Sequence, residues 1–161
     1  TNTQVAALSA ANFSALAATQ VAGLSSTQVG VMTATQIRGL NATDVSEFST
    51  TQIGAWNSTQ VSNLTATAFA ALDATQLQSL TTTQLRGLTA TQIGGLSTTD
   101  VNEFTATQIG NLSTVQLGLF GPTNLAALDA TQLTKLEDQA HGWLAKHAAQ
   151  ADLADAAPAA A

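Results

Sequence analysis

Four sets of side chains in this sequence have types and spacings from which chemistry is commonly built. Asp44 with Glu47, and Asp100 with Glu103, are carboxylates three residues apart. On a helix that separation places both on one face, where a pair can bind Ca²⁺ or divide acid and base roles. Neither pair has the further oxygen ligands that Ca²⁺ requires, and the simpler assignment is Asp as a helix-capping acceptor and Glu as part of a solvated face. His141 and His147 are six residues apart, so they do not share a helix face and make a poor metal pair. A Thr recurs at every eighth position from Thr19 to Thr107. Stacked, these residues would form a ladder of hydroxyls and methyls suited to ice, glycan or a second copy of the chain; the structural reading is a small β-branched residue filling the space between adjacent turns. Asn12, Asn41, Asn57, Asn63 and Asn111 open N-x-S/T triplets, the acceptor motif for glycosylation, which chance produces readily in a chain this rich in Asn, Ser and Thr. A nucleophile, its base and an electrophilic donor cannot be assembled from these positions. No catalytic, cofactor-binding or metal residue is therefore assigned, and the chain is not expected to be an enzyme.

What would position such residues is an eight-residue phrase. Thr1 to Leu136 reads as seventeen consecutive octads with nothing inserted or lost, and TATQIGGL at Thr89–Leu96 is a clean copy. The first column holds Thr, Ser, Asn, Asp or Gly everywhere except Ala17, the residues that best cap a helix N-terminus. The fourth column is Gln in most octads, with Asp44, Asp100, Asn12, Asn124 and Ala68 as departures; a cap residue followed three places later by Gln is a capping box. Pro122 occupies a second column, the first helical position, where its missing N–H is not needed. Column five is always Val, Ile, Leu or Phe and column eight always Leu, Met, Phe or Trp. Each octad thus carries two large apolar side chains on one helical face, and column eight together with the next column five forms a hydrophobic staple across each cap. One continuous helix would smear those pairs around the cylinder, because eight residues overshoot two turns by about 80°. The chain should turn at every cap, giving an all-α solenoid or superhelix of very short capped helices, one per octad. Gly at columns six and seven, as at Gly94 and Gly95, would permit close backbone approach or supply a left-handed helix ending.

The alternative is a β-solenoid, favoured by abundant Thr, Val and Ile. Columns five and eight are an odd number of residues apart, however, and would face opposite sides of a strand. A longer period also runs along the row. SAANFSAL at Ser9, TATAFAAL at Thr65 and GPTNLAAL at Gly121 lie 56 residues apart, and NATDVSEF at Asn41 matches STTDVNEF at Ser97 at the same distance. Seven octads form a super-repeat, and an odd number fits poorly with a β-coil of two octads. A lone octad cannot fold, since a two-turn helix does not persist in water; stability must come from stacking along the row.

With 45% apolar and only 9% charged residues the chain should be folded rather than disordered. Its net charge is −6, with Arg38, Arg86, Lys135 and Lys146 scattered, which argues against nucleic acid as a partner. There is no Cys, and no run is long enough to suggest membrane insertion. The chain starts at Thr1 already in register with the repeat, as expected of a processed product or a piece of something longer. The organisation expected is an octad solenoid over 1–136, an Ala-rich capping or docking helix over 137–157 that includes Trp143 and Leu144, and a disordered tail over 158–161.

T-x-x-Q-[VIL]-x-x-L octads in a long row resemble the low-complexity repeat regions of very large secreted or surface-associated bacterial proteins, the exoproteins and adhesins. The resemblance covers Thr1 to about Leu136 and carries no catalytic residues with it. It implies an extracellular or cell-surface, elongated structural role, as a stalk or the subunit of a filament, with a Thr-rich ice- or glycan-binding module as the competing function. Because Thr1 lies in mid-row with no polar cap before it, the first octads are expected to expose an apolar face, and head-to-tail self-association is expected.

Overall fold

The computed structural model describes the backbone of residues 1–155 and the side chains of residues 1–142. Each octad makes one helix. In chain order these are α1 (Asn2–Ala7), α2 (Ala10–Ser14), α3 (Ala18–Ala22), α4 (Ser26–Gly30), α5 (Ala34–Gly39), α6 (Ala42–Ser46), α7 (Thr50–Gly54), α8 (Ser58–Asn63) and α9 (Ala66–Ala70). There follow α10 (Ala74–Gln78), α11 (Thr82–Arg86), α12 (Ala90–Gly94), α13 (Thr98–Glu103), α14 (Ala106–Gly110), α15 (Thr114–Gly118), α16 (Gly121–Ala126) and α17 (Ala130–Asp155). Among the described residues there is no strand, which overturns the β-solenoid alternative. The reason is local: the residue types of column one suit the start of a helix, and the odd spacing of columns five and eight fits a helical face.

The octad of α12 shows why the helices begin and end where they do. Thr89 is extended (φ −83°, ψ 159°), and its hydroxyl accepts from the Gln92 N–H while the Gln92 side-chain oxygen accepts from the Thr89 N–H. The reciprocal pair satisfies two of the donors that a helix start leaves free. Seven residues later the Leu96 N–H donates to the Ile93 carbonyl at 3.2 Å, a tight i to i+3 closure, and the next cap, Ser97, is again extended (φ −81°, ψ 170°). The helices therefore end by running into the next cap. Left-handed glycines play no part in most endings: Gly121 (φ 71°) is the one positive-φ residue among those described, which corrects that half of the reading of columns six and seven. Gly121 also stands where a cap should be, and α16 begins with no side-chain cap bond. At Ala17 only half of the box survives, the Ala17 N–H donating to Gln20 Oε1 at 2.8 Å.

The close approach expected of both columns is found at column seven, at Gly39, Gly87 and Gly95, and not at Gly54, Gly94 or Gly118 of column six, where an added Cβ would meet nothing within 4 Å. Helices three apart in sequence pack together: α1 on α4, α4 on α7, α2 on α5, α5 on α8, α6 on α9 and α9 on α12 among them. A Cβ added to Gly87 would lie 2.8 Å from both Cβ and the carbonyl oxygen of Ser58, and one on Gly95 would lie 3.2 Å from the Ala66 Cβ. In these octads column seven of one helix presses on column two of the helix three before it, and at Gly87 there is no room for a larger side chain. Columns five and eight form a single buried core running from Val5 to Leu128.

The final helix begins at Ala130, inside the last octad, rather than at Glu137. Position 137 is a first column, and Glu137, followed by Gln139 and Ala140, is a good helix former where the earlier octads, Ala17 apart, place a residue suited to starting afresh. With nothing to interrupt it, the helix runs on to Asp155. The expected disordered tail over 158–161 lies outside the described residues, as do the side chains of Trp143 and Leu144. No described helix is long and apolar enough to cross a membrane.

Candidate functional site

The polar groups that the fold concentrates are the fourth-column glutamines, and they reach further than a capping box requires. While Gln92 Oε1 accepts from its own cap, Nε2 donates to the carbonyls of Val61 at 2.7 Å and Leu64 at 2.9 Å. Those two carbonyls are columns five and eight of α8, four helices earlier. The Val61 carbonyl already takes the Leu64 N–H at 3.2 Å, so both of its lone pairs are engaged. Leu64 ends its octad with no backbone donor within reach of its own helix, and the glutamine supplies the missing one. The same bracket joins Gln36 to Val5 and Leu8, Gln52 to Val21 and Leu24, Gln76 to Val45 and Phe48, Gln84 to Ile53 and Trp56, and Gln132 to Val101 and Phe104. Gln92 and Gln132 are each only 1% exposed. Sequence reasoning found the cap and missed the bracket. The available signal was the choice of amide: Glu would close a capping box equally well, so near-uniform Gln implies that the second end of the side chain is also used.

Where column four departs from Gln the bracket changes. Asn124 reaches only the Leu96 carbonyl, at 2.9 Å. Ala68 has no polar side chain to offer. Asp44 has nothing to donate; instead its carboxylate accepts from the Asn41 N–H at 2.9 Å and from the Ser14 hydroxyl at 2.6 Å. Asp100 accepts from the Ser97 N–H at 2.7 Å, and Ala70 stands 30 residues earlier, where Asp44 has Ser14. Both aspartates are therefore capping acceptors. Glu103 is half-buried and Glu47 likewise. Partial withdrawal from water, then the nearby carboxylates of Asp100 and Asp73, hold the Glu103 carboxyl above the usual glutamate range. Among the described residues, no three His, Cys, Asp or Glu side chains are grouped so as to hold a metal ion. His141 is exposed, and the side chain of His147 lies outside the described residues.

The third column behaves differently from its structural reading. All of its positions, from Thr3 to Thr131, are exposed, so the threonines fill no space between turns. Thr43, Thr59 and Thr107 accept hydrogen bonds from neighbouring side chains at their backbone carbonyls, and no third-column hydroxyl is used in a hydrogen bond among the described residues. Val115, which replaces Thr in this column, is 74% exposed. The triplet asparagines Asn41 and Asn57 serve as caps. The hollows of the surface are shallow grooves between helices. One is lined by Thr107, Gly110, Asn111, Lys135, Asp138 and Gln139, and the Lys135–Asp138 ion pair at 3.3 Å lies on its exposed rim. A buried donor, the indole N–H of Trp56, has no hydrogen-bond partner; the ring packs tilted against Phe48 at 5.1 Å.

A model of the ALTTAQ repeat family matches residues 69–106. ALDATQ at 71–76 reads in the frame of that name, which spans the end of one octad and the cap and glutamine of the next. The chain is thus a tandem helical repeat, and the match covers its middle. No curated protein and no solved structure matches it.

Proposed function

We propose that this chain is a structural repeat module without catalysis, an extended solenoid serving as a stalk or spacer in an extracellular bacterial protein. The observation that carries the reading is the glutamine bracket: the buried fourth-column amides are taken up in tying most helices each to the one four before it. A backbone that packs against the third helix along, and side chains that reach the fourth, support a coil of between three and four octads. Two such coils take about seven, which gives the 56-residue super-repeat a physical meaning as the interval after which an octad returns to the same side. The extracellular and cell-surface setting follows from the resemblance of the T-x-x-Q-[VIL]-x-x-L row to exoprotein and adhesin repeats. Repeats that contact only near neighbours make length a free variable, as a spacer needs.

The test is to insert a second copy of residues 73–128 in register and measure small-angle X-ray scattering on both proteins. A solenoid gains maximum dimension in proportion to the added octads at constant cross-section. A rounder particle of larger cross-section overturns the reading.

A second reading is favoured by the exposed third column, whose hydroxyls and methyls are not used by the fold. In it the Thr-rich face binds ice or glycan. Ice-recrystallisation and glycan-array assays on the protein, repeated with Thr75, Thr83 and Thr91 changed to Lys, test it: activity in the parent that is lost in the variant supports a binding module, and inactivity of the parent removes it.

A further inference from the structure

We propose that α9 is a hinge, the place in the interior of the row where successive turns are joined by packing alone, so that the row opens on the side where α5, α9 and α13 follow one another. The inference rests on the solenoid reading above and gives the stalk a joint. An interior helix can be tied twice by brackets: through its own fourth-column side chain to the helix four before it, and by the side chain of the helix four after it. Every helix from α5 to α13 has a described neighbour in both directions. Of these, α7, α8, α10, α11 and α12 are tied both ways; α8, for one, sends Gln60 back to the Met32 carbonyl and receives Gln92 at Val61. One tie each remains to α5 through Gln36, to α6 from Gln76 and to α13 from Gln132. Helix α9 has neither. Ala68 has no polar side chain to send to the carbonyls of α5, and the Asp100 carboxylate has no N–H to send to those of α9. Among the described residues, the side chains of the Thr65–Leu72 octad make one hydrogen bond, the cap at which the Ala68 N–H donates to the Thr65 hydroxyl at 3.1 Å.

What holds α9 is apolar. Ala68, Phe69 and Leu72 are buried, and α9 packs on α6 and on α12. Apolar burial has no preferred direction, and packed helices slide past one another by small amounts without losing it. A bracket behaves differently, because the bonds from Gln92 at 2.7 and 2.9 Å fix α12 to α8 in both distance and direction. The surface carries the same distinction. A shallow groove crosses α9, lined by Ala42, Ala66, Thr67, Ala70, Ala71 and Gly95, so the small side chains of this octad leave its contacts with α6 and α12 open to water at their edge. On the other sides of the row the ties from Gln84 to Ile53 and from Gln92 to Val61 run past α9 and keep α7 closed on α11 and α8 on α12. Those closed sides act as the pivot, and the row bends away from the line of α5, α9 and α13.

The chain has no Cys, so spin labels can be placed in pairs at exposed column-three positions and their separation read by pulsed dipolar electron spin resonance. Thr35→Cys with Thr67→Cys, and Thr67→Cys with Thr99→Cys, span the untied contacts of α9 with α5 and α13. Thr51→Cys with Thr83→Cys, and Thr59→Cys with Thr91→Cys, span tied helices at the same separation in sequence. The two pairs that share position 67 should give distance distributions about twice as wide as the two tied pairs. Asp100→Gln should narrow the 67–99 pair and leave the 35–67 pair broad. Adding Ala68→Gln with Phe69→Ile, which gives α9 the fourth and fifth columns of α12, should narrow both to the tied width. Equal widths in all four parent pairs, or a 67–99 distribution that Asp100→Gln leaves unchanged, would overturn the hinge. The mean distances judge the solenoid separately, since turns that repeat give all four pairs a similar mean. Similar means with equal widths would remove the hinge and leave the stalk, whereas four unlike means would remove both.

Discussion

At the scale of the residue, the same glutamine has different worth at different places in the row. Gln92 closes a cap and brackets two buried carbonyls, whereas Gln4 closes a cap and brackets nothing described. Gln92→Ala should cost about 3 kcal/mol, because it leaves unsatisfied buried groups as well as removing four bonds. Gln92→Glu should be at least as damaging although its cap survives, since a carboxylate is then buried against two carbonyl oxygens. Gln4→Glu should change stability by less than about 0.5 kcal/mol. Chemical denaturation of the three variants checks this, and equal losses at both positions would show that the amide's far end is immaterial. Glu103 gives a pH-dependent expectation. Its carboxyl is held above the usual range by partial burial and by Asp100 and Asp73, so its ionised form is disfavoured in the folded chain. The contribution to stability is fully present below the unfolded pKa and is lost as pH rises through the higher folded one. Glu103→Gln should therefore melt higher than the parent at pH 7, with the gap closing as pH falls below the ordinary glutamate value. A gap independent of pH would assign the effect to packing.

At the scale of the element, helix starts were legible because their signals are local. A cap, an amide three residues on and an apolar residue at the next position all lie within one turn, as at Thr89, Gln92 and Ile93. The far partners of Gln92 were not legible, because Val61 and Leu64 come within reach only once α12 has packed beside α8. The exposure of the third column was hidden for the same reason, since nothing local says whether Thr91 faces a neighbouring turn or solvent. The start of α17 misled in the opposite way: a change in composition at Glu137 looked like a boundary, but losing a cap residue there merges two elements. Glycines divide along these lines. Gly87 faces Ser58 with no room for a Cβ, whereas Gly94 has nothing within 4 Å. Gly87→Ala should destabilise by about 1–3 kcal/mol through overpacking against backbone, and Gly94→Ala should stabilise by about 0.5–1 kcal/mol through helix propensity. Melting curves decide, and the same sign for both substitutions would contradict the packing of α11 on α8.

At the scale of the whole molecule, the brackets form a nearly continuous set of ties, and the gaps in it follow the 56-residue period. Asp44 and Asp100 are equivalent octads, and so are Ala68 and Asn124, the first without a bracket and the second with half of one. In a row stabilised by neighbour contacts, each missing tie is a seam at which a helix parts from the one four before it. The two aspartates are not equal, because Asp44 receives the Ser14 hydroxyl from α2, and Asp100, with Ala70 at the corresponding place, receives only its own cap. The seam at α13 should therefore be the weaker of the two, and it is the one to close. Asp100→Gln keeps the acceptor for the Ser97 N–H, supplies an Nε2 to the carbonyls of Phe69 and Leu72, and removes a carboxylate near Glu103. Two hydrogen bonds to acceptors on the preceding coil should raise stability by about 1–2 kcal/mol. Hydrogen exchange locates the gain: amides of α9 and α13 should become better protected in Asp100→Gln while those of α1 and α2 stay as they were. A variant no more stable than the parent, or one whose added protection is spread evenly along the chain, would mean that the coils are held by their apolar columns alone and that the glutamines serve only their caps.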